Sequence, residues 1–179
     1  MALSKFNSDA IMKPKNFYNP GGSTMNQVKL QDVIMTAIKR EEDAYAFYQQ
    51  LSTRFTDKAV VETLTFLKDE EKRHKEFLEG YLKGDAGSKG LRMDEVIDYR
   101  IAEHLEKPDV AGKLESQDVY LIAAHRELNA FHFYSELAAT QPEGEIREVF
   151  LRMANEEKRH KEKMEYLYAN TAFPQTAGG

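Results

Sequence analysis

The sequence predicts an all-α protein, a four-helix bundle built from two repeated helical hairpins joined by a long crossover that contains a short helix. Three observations carry this. Apolar residues recur at helical spacing through nearly all of residues 25–170, and no stretch alternates apolar and polar residues for long between turn residues. The heptapeptide EEKRHKE occurs at residues 70–76 and again at 156–162. At that same offset of 86 positions, residues 32–82 align with 118–168 without a gap, and roughly a third of the positions are identical.

The elements follow in order. Residues 1–24 carry Pro14, Pro20, Gly21 and Gly22 without a clear period, and are expected to be an N-terminal extension, ordered only where it docks. A first helix is predicted from about Gln27 to Phe55 and a second from about Lys58 to Lys83, with Phe55-Thr-Asp-Lys58 as the turn between them. GDAGSKG then breaks the pattern, and a shorter helix is expected from about Arg92 to Glu106, ended by Pro108. The second hairpin runs from about Ser116 to Thr140 and from about Glu143 to Asn170, around the turn Gln141-Pro-Glu-Gly144. Residues 171–179 are expected to be a C-terminal tail, which leaves residues 25–170 as the bundle domain.

Composition narrows the chemistry. Across 179 residues, 25 Lys+Arg against 30 Asp+Glu give a net charge of −5, which disfavours nucleic acid or an anionic membrane as partner. Cysteine is absent, so disulfides, thiolate nucleophiles and cysteine-ligated metal centres are excluded. No apolar run reaches the length of a membrane span and the N-terminus lacks the apolar stretch of a signal peptide, so a cytoplasmic location is expected.

The repeat preserves a specific constellation. Each copy has a glutamate thirty positions before a Glu-x-x-His: Glu41, Glu71 and His74 in the first, Glu127, Glu157 and His160 in the second. Each turn falls about midway, so at about 1.5 Å of rise per residue the two glutamates of a hairpin finish at one height. Glu71 and His74, like Glu157 and His160, are i and i+3 and share a helix face. The positions flanking Glu41 on its face include Ile34, Ala37, Ile38 and Tyr48, and those flanking Glu127 include Ala123, Ala124 and Tyr134. The four glutamates therefore interrupt the stripes that should form the core. Glu42 and Glu70 lie about 100° round the helix from their neighbours and fall off that stripe.

An unpaired buried carboxylate costs several kcal/mol, and no Lys or Arg lies centrally on all four stripes. Two divalent cations balance four glutamates, with neutral imidazoles completing the ligand set, a construction known in four-helix bundles. Oxygen-rich ligands with one nitrogen per metal suit iron or manganese better than a closed tetrahedral zinc site. A single EEKRHKE would read as a solvent face laced by pairs such as Glu71–Lys75, but duplication at one offset with an upstream glutamate outweighs that. Tyr48 and Tyr134, seven residues after Glu41 and Glu127, fall on the metal-facing side as candidate partners for the ligands. Ala44 and Ala130, one turn from those glutamates, leave room for metal and a small oxidant, though plain helix packing explains them nearly as well. His104, His125 and His132 have no counterpart in the other repeat and are expected at the surface or in structural roles.

EEDAYAFY with EEKRH in the first half, and ELNAFHFY with EEKRH in the second, make residues 27–170 resemble the ferritin-like superfamily, and most of all its rubrerythrin-like branch. The resemblance implies a ferritin-like four-helix bundle holding two iron ions per chain, with manganese or zinc as possible substitutes. It implies that Glu71 and Glu157 bridge the irons, Glu41 with His74 completes one, and Glu127 with His160 completes the other. Two departures stand out. Without cysteine there is no rubredoxin-type iron, and Ala130 occupies the place of an extra glutamate that rubrerythrin peroxidases use in a ligand switch. The expected function is a non-haem di-iron oxidoreductase that reduces hydrogen peroxide or dioxygen, protects against oxidative stress, and draws electrons from an external donor protein. A ferroxidase or iron-handling role of ferritin type is the alternative, and a metal-free interaction module is a third reading. A homodimer is the expected assembly.

Overall fold

In the computed structural model, residues 24–85, 91, 93 and 95–173 are described. Four helices form: α1 (Thr24–Ser52), α2 (Lys58–Leu82), α3 (Ser116–Thr140) and α4 (Glu145–Ala172). α1 packs with α2 and α3 with α4, as two antiparallel hairpins. No strand occurs among the described residues. The expectations for residues 1–23 and 174–179 lie outside the described part of the chain.

Local chemistry sets the helix ends. Asp57 caps α2, its carboxylate accepting the Val60 N–H at 3.1 Å. At the start of α3, the Asp118 carboxylate accepts the Glu115 N–H at 2.8 Å. Gly144 precedes α4 at φ 151°, in the positive-φ region that favours glycine, and so turns the second hairpin tightly.

The crossover corrects one expectation. No helix forms among its described residues: 95–100 are without regular structure, and isolated turns follow, in the first of which the His104 and Leu105 N–H groups both reach the Ile101 carbonyl. Helix propensity loses here to α4, which claims the segment's polar groups. Lys161, 2% exposed, pairs with Asp98 at 2.6 Å, Glu103 at 2.9 Å and Glu165 at 3.2 Å. Glu165 in turn accepts the Ala102 N–H at 2.9 Å. Arg100 takes φ 55°, a break no continuous helix tolerates. His125 fixes the far end of the turn, its Nε2 lying 2.9 Å from the Leu105 carbonyl. Lys161→Met should leave buried Glu165 uncompensated and lower stability by about 3 kcal/mol, readable as a fall in the urea midpoint.

The apolar core divides into two layers. One holds Tyr48, Leu51, Leu64, Leu67, Ala123, Ala124 and Met164. The other holds Ile34, Ile38, Leu78, Tyr134, Phe150 and Met153. Along every helix, the segment between the two layers is the one that carries the glutamates and histidines of the repeat. Among the described residues these layers close the polar centre above and below, and two cavities reach it sideways, through the gaps between the hairpins.

Candidate metal centre

The structure brings all six repeated side chains together at mid-height. Glu41, Glu71, Glu127, Glu157, His74 and His160 are each at most 4% exposed. His74 Nδ1 lies 3.1 Å from Glu157, 3.6 Å from Glu41 and 3.8 Å from Glu71. His160 Nδ1 lies 3.6 Å from Glu127 and 3.7 Å from Glu157. Two ligand groups result, Glu41–Glu71–His74–Glu157 and Glu127–Glu157–His160, with the ligand atoms of each within 4.8 Å of one another. Glu157 serves both groups, while Glu71 joins only the first. The imidazoles stack between the hairpins, 5.4 Å apart and 20° from parallel.

The tyrosines cross over. Tyr48 on α1 donates its hydroxyl hydrogen to Glu127 on α3, and Tyr134 on α3 donates to Glu41 on α1. Both tyrosines are fully buried. Burial, and then the charge of the carboxylate each one bonds, push both phenols well above the usual tyrosine range, so they remain proton donors. Each hairpin thus fixes a carboxylate of the other. The neighbouring residues repeat the exchange: the Arg126 guanidinium lies 4.1 Å over the Phe47 ring and that of Arg40 lies 4.2 Å over Phe133.

Hydrogen bonding tests whether this donor set suits a metal. His74 Nδ1, Glu127 Oε2, both oxygens of Glu157 and His160 Nδ1 are buried without a hydrogen-bond partner. Each such group costs about 1–3 kcal/mol when left unsatisfied, and more when charged. Lone pairs of carboxylate oxygen and imidazole nitrogen converging without donors are what a cation satisfies. Protons compete for the same atoms. Burial works against charge on His74 and His160, but the surrounding carboxylates outweigh it, raising His74 well above its ordinary value and His160 to about 9. Burial, followed by the charges of Glu157, Glu127 and Glu41, raises Glu71 well above the carboxylate range. Glu127 rises to about 7, chiefly through burial. Glu157 goes the other way: burial opposes its charge, but the two imidazoliums outweigh it and depress it.

Two cavities reach the cluster from the sides. One of about 520 Å³ lies between α1 and α3, with Glu41, Glu71 and Glu127 on its floor, Ala44 and Ala130 in its walls, and Arg40, Arg126 and Lys107 among the cations that line it. The second, of about 870 Å³, lies between α2 and α4 and is lined by His74, His160, Glu70 and Glu156. Glu42 faces outward on Lys75 at 2.9 Å. Glu70 is rotated off the glutamate stripe, as its position in the helix requires, yet it does not face bulk water. It is 13% exposed, pairs with Arg73, and lies 3.3 Å from His160 Nε2 on the other hairpin. The sequence places Glu70 off the ligand stripe and does not single out Glu156. The signal was present, because the duplicated heptapeptide keeps its first glutamate as well as its second. Of the remaining histidines, His132 lines the α1/α3 cavity and His104 is exposed.

An all-α bundle with a buried carboxylate–histidine cluster at its centre defines the class: a ferritin-like protein whose core fits a metal site. The chain belongs to the Rubrerythrin family, whose family model matches residues 2–82 and 118–175. The matched part takes in both repeated hairpins and omits the crossover. No curated protein and no solved structure matches the chain. Family membership implies iron as the metal. Among the described residues, no helix is long and apolar enough to cross a membrane.

Proposed function

We propose that the protein is a non-haem di-iron carboxylate oxidoreductase that reduces hydrogen peroxide or dioxygen. The observation that carries this is the donor set itself: two ligand groups sharing Glu157, in which both Glu157 oxygens, Glu127 Oε2 and the two imidazole Nδ1 atoms have no hydrogen-bond partner, beneath a lateral cavity wide enough for a small oxidant. Glu41, Glu71 and His74 would hold one iron, Glu127 and His160 the other, and Glu157 would serve both. When bound, the iron pair supplies one electron from each metal and Lewis-acid polarisation of the O–O bond.

The protein's own residues then have separable tasks. Tyr48 and Tyr134 hold Glu127 and Glu41 in place across the hairpins and keep a proton at each carboxylate. The two apolar layers exclude water along the bundle axis. Ala44 and Ala130 keep the α1/α3 cavity open down to the carboxylates, where longer side chains would fill it. Electrons would come from an external donor protein, because these residues include no cysteine to ligate a thiolate-bound iron.

The test is anaerobic loading with ferrous iron followed by rapid mixing with hydrogen peroxide. Oxidation should be much faster than that of free ferrous ion. Ala44→Leu with Ala130→Leu should slow it by roughly tenfold or more by narrowing the cavity. Retention of the same iron through repeated cycles with a reductant supports the oxidoreductase. Ferric iron accumulating beyond the bound pair would favour ferroxidase activity instead.

A further inference from the structure

The two cavities differ in what they offer a ligand. The α1/α3 cavity places arginines stacked on phenylalanines around its carboxylate floor. The α2/α4 cavity has cations in its lining too, Arg73, Arg159 and Lys163, but it alone also presents imidazole nitrogens of the cluster. There, His74, Glu156 and His160, all buried, bring one ligand atom each within 4.8 Å of one another, forming a third group that shares its histidines with the two that contain Glu157 and adds Glu156. Glu70 adjoins it, 3.3 Å from His160 Nε2. His160 is therefore two-sided: Nδ1 faces Glu127 and Glu157, while Nε2 faces the cavity and Glu70. Nitrogen and oxygen donors at this spacing suit a divalent transition-metal cation.

We propose that His74, His160, Glu156 and Glu70 form a capture site for the incoming divalent cation on the α2/α4 side, from which the ion passes inward to the glutamates. This rests on the reading of the inner cluster as a metal centre. The arrangement explains three features that the inner site alone does not require. The first glutamate of EEKRHKE recurs in both repeats. Glu70 reaches across to the histidine of the opposite hairpin. The wider of the two cavities stands over the imidazoles. Arg73 on Glu70 and Arg159 at 3.5 Å from Glu156 are side-chain pairs that an arriving cation can displace. A site shared with an imidazole already turned to an inner metal is transient, so the same rings can serve one ion after another. Cations and oxidant would then reach the centre from opposite faces of the bundle.

The experiment follows Co²⁺ uptake by metal-free protein in a stopped-flow instrument, using visible absorbance, with saturation stoichiometry measured separately. The double variant Glu70→Gln, Glu156→Gln should load at least tenfold more slowly and reach the same final stoichiometry and affinity. Uptake at the unmodified rate would overturn the capture site. Weakened affinity with an unchanged association rate would also overturn it, because the glutamates would then only orient the imidazoles. If the unmodified protein takes up no metal at all, the inner metal centre fails and the capture site fails with it.

Discussion

Glu157→Ala is expected to take the protein from about two bound metals per chain to near none, because this one carboxylate belongs to both inner ligand groups. Its burial is complete, and neither oxygen has a hydrogen-bond donor. Removing it strips each inner group of a ligand and leaves His74 and His160 facing each other without the anion between them. Glu71→Ala should also lower metal content, with the heavier loss in the first group, to which Glu71 belongs. Glu42→Ala supplies the contrast. It is half-exposed and paired with Lys39 and Lys75 at the surface, where solvent screens the pairing, so loading should be unchanged. Metal analysis of the three variants after saturation and desalting checks this. Full loading of Glu157→Ala would show that the two groups do not share a ligand.

The placement of the inner cluster was legible because helical geometry converts sequence spacing into height and face. A glutamate thirty positions before a Glu-x-x-His, with a turn midway, can only finish level with it. Duplication then raised the inference from one weak motif to a constellation. The helix spans followed for the same reason, and Ser116–Thr140 agrees to the residue. What stayed hidden depends on contacts between elements that sequence spacing does not connect. Tyr48 was placed on the metal-facing side, but nothing in its own hairpin says that it bonds Glu127 of the other. Glu70 was correctly rotated off the stripe, yet a direction off the stripe reads as solvent until the second hairpin is in place to build a cavity there. The crossover misled because Arg92–Glu106 has good helix formers, while the fully buried Lys161 and Glu165 that draw it into another shape lie far away in the chain. The same lysine's counterpart in the first repeat, Lys75, remains about a third exposed, so the repeat gave no warning.

The metal-free protein should lose stability as pH rises from about 6 to 9.5, while the metal-loaded protein should not. The sign follows from which protonation state the fold prefers. His160 sits at about 9 against an ordinary 6.5: burial disfavours its charge, but Glu127 and Glu157 outweigh burial. A group raised on folding contributes stability that is fully present below its unfolded value and is lost as pH climbs through the folded one. For His160 that window is pH 6.5 to about 9, and the shift corresponds to roughly 3 kcal/mol. Glu127, raised to about 7 chiefly by burial, acts in the same direction at lower pH, since ionising it places another charge beside Glu157. Glu157 is depressed and acts oppositely, but its contribution is lost only in strong acid, outside this range. Bound cations reverse the preference, because they require ionised carboxylates and neutral imidazoles. Loading must therefore expel the protons that the cluster favours on His74, His160, Glu71 and Glu127, and the buffer should acidify as metal binds. Thermal melts of chelator-treated and loaded protein across this range should diverge, the metal-free midpoint falling while the loaded one holds. Parallel curves would mean that protons and metal do not compete for the same side chains.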